Sequence, residues 1–301
     1  MISVVIATCN RPHLCERIIK LINFQSLLPK EIIIVDSSDP ENYLDITKFI
    51  ESKINIQYFK TSIKSAAIQR NIALEKLSHK TSFLVILDDD VVIGQNYIKA
   101  LVENFKRQSV VGVSGIAFNS KKGLQAHGVN LLKLLFFLDS RNPGVITLSG
   151  VNIPVHINNT NKAILSEWLI GCSVWRFNAI QKLRFQNNFF GQSLFEDVIF
   201  SMAARKKGEL IVDTSVIFEH EESELQRPNQ TDFYKMWIFN RYYVVLALDK
   251  NFTKYLAFHW TNFGKTIQVI FEILCFKNSS LSKLKGIGLG YKQLLKNVIN
   301  Q

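Results

Sequence analysis

No CxxC pair and no zinc-like spacing occurs among the four cysteines, Cys9, Cys15, Cys172 and Cys275. The expectation is reduced, buried or incidental thiols in a cytoplasmic chain. Glycine and proline are scarce, 14 and 6 of 301 residues, while hydrophobic residues make up 47%, which excludes disordered and fibrous classes. No GxGxxG follows the first strand-like segment, which argues against a dinucleotide-binding oxidoreductase, and no GxxxxGK[ST] supports an NTPase. Long apolar runs are missing too. VNLLKLLFFL (Val129–Leu138) is short and carries a lysine, and Tyr255–Phe276 is interrupted by His259, Gly264, Lys265 and Glu272. Neither offers the roughly 18 to 20 apolar residues of a lipid span. The N-terminus, MISVVIATCNRPH, has no basic leader region and reads as a first β-strand rather than a signal peptide.

What is present is positive charge. Lys and Arg number 36 against 25 acidic residues, a net charge of +11, which favours an anionic partner such as a nucleotide, a nucleic acid or an acidic membrane surface. The first third alternates regularly: strand Ile2–Thr8, turn Asn10–Pro12 with proline at the first helical position, and helix Leu14–Phe24. Strand Glu31–Asp36 follows, then a helix over YLDITKFI, strand Ile54–Phe59, helix Ser65–Leu77 and strand Ser82–Leu87. After these the pattern predicts helix Tyr97–Phe105 and strand Val110–Gly115. Such alternation predicts a parallel α/β sheet with its ligand crevice beyond the carboxyl ends of the strands. From Ser120 to Ile164 the pattern weakens into turns and short strands that could form an acceptor-side surface. Gly171 precedes an expected helix within Glu167–Leu183, and Glu196 and Asp197 open a helix that ends near Gly208. A strand region with His220 between Glu219 and Glu221 comes next.

Two strand ends carry carboxylates: Asp36, and the triplet Asp88, Asp89 and Asp90 in FLVILDDDVVIG. Like charges this close raise one another's pKa unless something neutralises them. Asp88 and Asp90 form a DxD that can hold a hard ion such as Mg²⁺ or Mn²⁺ while leaving positions open for phosphate oxygens. That suits a nucleotide diphosphate donor, whose departing diphosphate needs a Lewis acid. An EF-hand fails, because Ile93 and Lys99 stand where its glycine and final glutamate belong. A phosphatase-like DxD nucleophile leaves Asp36 and the Glu196–Asp197 pair without roles, and non-functional helix caps are the bland alternative.

SVVIATCNRP, IIIVDSSD, IQRNIAL, VILDDDVV, WLIGCSVWRF and FEDVIFSMAARKKGELIVDTSVIFEHEES follow one another across residues 1–225. This ordered set resembles the bacterial, non-processive family 2 glycosyltransferases of GT-A fold. The resemblance implies a Rossmann-like, mostly parallel sheet flanked by helices. It places Ala7, Thr8, Asn10 and Asp36 around the nucleotide, with Arg70 and Asn71 nearby. It makes Asp88 a ribose or base contact that shares the metal with Asp90, His220 a residue completing the metal site or touching the diphosphate, and Gly171 part of the substrate surface. Asp197 becomes the general base, with Glu196 in an accessory or acceptor-binding role. A carboxylate at a helix start is kept ionised by the helix dipole, as a base should be. For His220, flanking glutamates favour the imidazolium form and oppose ligation unless they point away. The QxxRW motif of processive synthases is absent, so one sugar is expected per reaction, from a UDP or dTDP type donor to a glycan or lipid-linked acceptor in surface polysaccharide synthesis. A non-catalytic protein binding nucleotide sugar or glycan is the alternative.

Residues 226–301 are expected to form a separate helical, aromatic and basic region after a catalytic domain of residues 1–225. Residues 251–301 hold seven lysines, no arginine and one acid, Glu272. Such a tail is either an interfacial element on an anionic membrane, placing the chain peripherally on the inner face of the cell membrane, or a helical layer with a solvated basic face. The NRYY segment, Asn240–Tyr243, is loosely similar to the C-terminal parts of enzymes that decorate bacterial surface polysaccharides, rhamnosyl transferases among them. No nucleic-acid-binding module pattern appears.

Overall fold

The computed structural model describes residues 1–118, 130–156, 163–189, 191–221, 228–248, 251–275 and 280–299. The strands are β1 (Ile2–Thr8), β2 (Glu31–Asp36), β3 (Asn55–Lys60), β4 (Phe83–Asp88), β5 (Val91–Val92), β6 (Val110–Phe118), β7 (Ala163–Ser166), β8 (Ser173–Arg176) and β9 (Glu209–His220). The helices are α1 (Pro12–Asn23), α2 (Ala66–Lys76), α3 (Tyr97–Glu103), α4 (Leu131–Leu135), α5 (Phe177–Ile180), α6 (Glu196–Arg205), α7 (Gln230–Leu248), α8 (Phe252–Leu274) and α9 (Ser280–Ile299).

All strands join one sheet in the order β3-β2-β1-β4-β8-β6-β9-β5, with β7 also on β9. Strands β1, β2, β3, β4, β6 and β9 run one way, and β5, β7 and β8 run against them. Every residue of β2 is buried, as its EIIIVD sequence requires of a central strand covered on both faces. On one face α1 and α3 pack through Ile18, Ile22, Ile98 and Leu101. On the other, α2 and α6 pack through Ala67, Leu74, Phe200 and Ala204. Pro12 opens α1 at a position whose N–H has no helical acceptor anyway, and Ser65 caps α2 by accepting from the Ile68 N–H at 3.3 Å.

Two expected helices are cut short, the second to the four residues of α5. The YLDITKFI segment (residues 43–50) holds only one single turn, Ile46–Phe49, capped by the Asp45 side chain, which accepts from the Thr47 N–H at 3.1 Å; a separate turn, Pro40–Asn42, precedes it. After Gly171 the chain enters β8, which inserts antiparallel between β4 and β6. Val174 and Trp175 bury on opposite faces there, so tertiary pairing overrides the apparent helical spacing. Of the weakly patterned Ser120–Ile164 region, residues 130–156 and 163–164 are described; the rest lies outside the described residues, as does the expected boundary near 225.

Helices α7, α8 and α9 share a core of Tyr234, Ile238, Phe258, Val269 and Ile287. Gly286 and Gly290 of α9 let it approach α7 closely; a Cβ at Gly286 would lie 2.4 Å from the Thr231 carbonyl oxygen. A further cluster, Phe195, Val198 and Ile199 with Val244, fastens α6 to α7.

Gly115 lies where β6 slips its register against β9, and a Cβ there would stand 2.4 Å from the Val216 carbonyl oxygen. Gly115→Ala is therefore expected to lower unfolding free energy by about 1–3 kcal/mol. Gly94→Ala meets nothing within 4 Å and serves as the control, with a change within about 0.5 kcal/mol. Paired denaturant titrations check both.

Candidate active site

The parallel register of β2, β1 and β4 puts Asp36 beside Thr8 and Ala7 beside Asp88, so three strand ends present their polar residues to one crevice. β5 then pairs antiparallel with the end of β9, Val91 opposite His220, which brings the histidine back to the aspartate triplet. Asp88, Asp90 and His220 each offer a ligand atom within 4.8 Å of the others. Two carboxylates and an imidazole converging at the end of a rigid strand fit a hard divalent cation such as Mg²⁺ or Mn²⁺. His220 Nε2 lies 3.1 Å from Asp90 Oδ1. Of its flanking glutamates, Glu221 pairs with Arg17 at 2.5 Å, so at least one points away from the imidazole.

The triplet splits into three environments. Asp89 is wholly buried, accepts from Thr8 Oγ1 at 2.6 Å and pairs with Arg11 at 2.8 Å. Burial pushes its carboxyl up to about 7, against the pull of Arg11 and the Thr8 hydrogen bond. Asp90 accepts from the other end of the same guanidinium at 3.0 Å. Asp88 accepts from Arg70 at 2.5 Å. Arg11 was missed in the sequence as a site residue. Its signal was the NRP turn itself, which must follow β1 and therefore sits next to the end of β4.

Arg70, itself buried, also pairs with Glu196 at the start of α6. Asp197, the next residue, accepts from the Val198 N–H at 2.8 Å and lines a small recess with Arg70, Gly171 and Phe185. Burial raises the Asp197 carboxyl to about 6, with Arg70 pulling the other way. Gly171 is tight against the same group: a Cβ there would lie 3.2 Å from Arg70 Nη2 and 3.3 Å from Asp88 Oδ2. Residues from β4, β9, α2, α6 and the turn before β8 thus meet in one place.

The expected nucleotide residues form an adjoining group. Asn10 takes a φ of +54° at the end of β1, its N–H donating to Ser38 Oγ at 2.6 Å and its Nδ2 to Asp39 at 2.8 Å. Asp36 is 1% exposed; it accepts from the Ser38 N–H at 2.7 Å and from the Tyr58 hydroxyl at 2.6 Å. Tyr58 is held protonated by burial and by that carboxylate. Asn71 stands apart: it donates to the Phe185 carbonyl and to Asn187, and accepts from the Phe185 N–H at 2.8 Å. In this structure it ties down the 185–187 turn.

The curated proteins include no sequence match to this chain. Among solved structures, the chain is similar to the mannosyltransferase PcManGT from Pyrobaculum calidifontis in complex with GDP-Man and Mn²⁺, at 12% identity and a TM-score of 0.59, covering all of this chain and 87% of that one. S. aureus TarS 1-349 in complex with UDP-GlcNAc aligns over 97% of this chain and 91% of its own, at 13% identity and a TM-score of 0.53. Against the longer S. aureus TarS structure the identity is 17% and the TM-score 0.51, over 79% of this chain but only 38% of that chain's length. These likenesses establish the GT-A fold. The family model for glycosyl transferase family 2 matches residues 3–171, more than half of the 301 residues, and the chain belongs to that family.

Proposed function

We propose that this protein is a metal-dependent, inverting glycosyltransferase that moves one sugar from a nucleotide-diphosphate donor to a glycan or lipid-linked acceptor in surface polysaccharide synthesis. The observation that carries the reading is the convergence of Asp88, Asp90 and His220 beside Arg70, with Asp197 lining the recess that reaches Arg70 and Gly171. The Mn²⁺, GDP-Man and UDP-GlcNAc complexes of the similar structures support a nucleotide-sugar donor, for which a UDP or dTDP type is the expectation here.

A divalent cation held by Asp90, Asp88 and His220 would neutralise charge on the departing diphosphate. Ala7, Thr8, Asn10 and Asp36 would frame the nucleotide end of the crevice. Asp197 would accept the proton of the acceptor hydroxyl as that oxygen bonds to the anomeric carbon and the bond from that carbon to the diphosphate oxygen breaks with its electron pair. Glu196, paired with Arg70, keeps the guanidinium between the two ends of the site and helps to fix the base beside it. A carboxylate raised to about 6 is a stronger base than an ordinary one yet still largely ionised at neutral pH, which a pure binding protein has no use for.

Asp197→Asn is expected to lower kcat by about 10²–10⁴-fold while nucleotide-sugar binding, read by calorimetry, is retained. Diphosphate release in the presence of acceptor measures the first; equal turnover by the variant and the wild type would remove Asp197 as the base. The protonated form cannot accept a proton, so kcat/KM should fall about tenfold per pH unit below about 6 rather than below 4. A metal-chelating buffer should abolish turnover and added Mn²⁺ restore it, with Asp90→Ala requiring more Mn²⁺ than the wild type. Chelator-resistant activity would contradict the metal-dependent mechanism.

A further inference from the structure

Helix α8 carries an apolar face that no described element covers. Phe252, Leu256, Phe263, Ile267, Ile270 and Leu274 are between 45% and 73% exposed. At about 100° per residue these six fall within a narrow arc, with Trp260 and Phe271 at its edge. The helix has 23 residues, so the stripe is about 34 Å long. The three charged residues of α8, Lys254, Lys265 and Glu272, lie on the other side, where Glu272 pairs with Lys283 of α9 at 2.6 Å.

A second element extends the stripe. Leu131, Leu132 and Leu135 of α4 are 57% to 75% exposed. They are fixed to α8 where Trp260 Nε1 donates to the Leu135 carbonyl at 2.8 Å and Thr261 Oγ1 to the Phe136 carbonyl at 2.7 Å. Gly264 leaves room for the Phe136 ring, which would stand 2.2 Å from a Cβ at that position. The patch is therefore a built surface of two elements. Isolated exposed apolar residues are ordinary, but a contiguous face of this length marks an interaction site.

Charge selects the occupant. Lys133 is exposed among the leucines of α4, and Lys285, Lys292 and Lys296 are exposed along α9, which packs beside α8. Residues 251–301 hold seven lysines against one glutamate, and the whole chain carries +11. A second copy carries the same net positive charge and would bring a second Lys133 to the patch, whereas an anionic bilayer offers the opposite sign and an apolar interior. No described helix is long and apolar enough to cross a membrane. An aromatic, uncharged stripe on a lysine-rich helical unit has the character of a helix lying in the interface plane, with the Trp260 ring at headgroup level.

We propose that the α4–α8 face is an in-plane docking surface for an anionic lipid bilayer. The test is flotation of the full chain with phosphatidylcholine vesicles with or without phosphatidylglycerol, read without donor or acceptor so that it is independent of turnover. The wild type should float with the phosphatidylglycerol vesicles. The triple variant Phe263→Gln, Ile267→Gln, Phe271→Gln should bind them about tenfold or more weakly, because it removes three apolar side chains from the buried face. All three positions are exposed, and an unchanged melting temperature verifies the fold. Lys285→Gln, Lys292→Gln, Lys296→Gln should weaken binding at low salt and leave less of it to be lost at high salt. Absence of wild-type flotation, or undiminished flotation of the apolar variant, overturns the proposal. So does a wild-type dimer in light scattering that the apolar variant converts to monomer while vesicle binding is absent, which would assign the face to a second copy.

Discussion

Three successive carboxylates at the end of a buried strand can be kept only if positive charge is brought to them, and two arginines bring it from different elements. Arg11 reaches from the turn between β1 and α1 to both Asp89 and Asp90. Arg70 reaches from α2 to Asp88 and continues to Glu196. Because β1 and β4 are neighbours in register, the turn after β1 has to lie beside the triplet, and because α2 leads into β4, its side chains cover the same strand end. The site is thus a consequence of the parallel order of the sheet. Asp89, wholly buried, neither joins the candidate metal-ligand cluster nor lines the recess; it anchors Arg11 together with Asp90, and Asp88 and Asp90 are the members that converge with His220.

The backbone around this site is bent in ways that L-residues seldom adopt. Asn10, Ser193 and Phe195 have φ of +54°, +52° and +71° without being glycine. Such conformations cost free energy and persist only where packing over-determines them. Asn10 is fixed by its exchange of hydrogen bonds with Asp39, whose N–H donates to Asn10 Oδ1 at 2.8 Å. Ser193 is buried against Ser65, whose hydroxyl reaches both Ser193 and the Phe189 carbonyl. Phe195 buries its ring against the α6–α7 cluster. Two of the three bends immediately precede α6 and so aim Glu196 and Asp197 at Arg70 and the recess.

Much of this was readable from residues. The apolar, β-branched runs of β1, β2 and β4, alternating with helical spacing, pointed to covered strands, and carboxylates at two of their ends pointed to the crevice rather than to helix caps. The opening of α6 at Glu196 was legible because Gly208 and the apolar spacing bounded it. The segment after Gly171 misled because four residues of strand, SVWR, are too few to show a period of two, and their state is set by the gap between β4 and β6. Arg11 was hidden for a related reason: an arginine in a turn is ordinary until the partner strand, 79 residues away in sequence, is placed beside it. One partner of Asp36 was likewise hidden, since the Tyr58 hydroxyl comes from a separate strand, while the other, the Ser38 N–H, is local.

The C-terminal helices contribute to the site although none of their residues lies among its carboxylates. The turn that delivers Asp197 ends at Leu194 and Phe195; Asn240 of α7 donates to the Leu194 carbonyl at 2.8 Å, and Val244 packs with Phe195 and Val198. Arg241, between them in sequence and wholly buried, stacks on Trp237 at 3.7 Å and reaches Asn262 of α8. One turn of α7 thus grips the strained approach to Asp197 on one side and α8 on the other. Helix α8 is joined to the loop before α6 through direct contacts of Arg241 and Asn240, with no long linker between. If the apolar face docks as proposed, the helix that supports the loop before Asp197 would stand next to the bilayer, on the side where the proposed lipid-linked acceptor would lie.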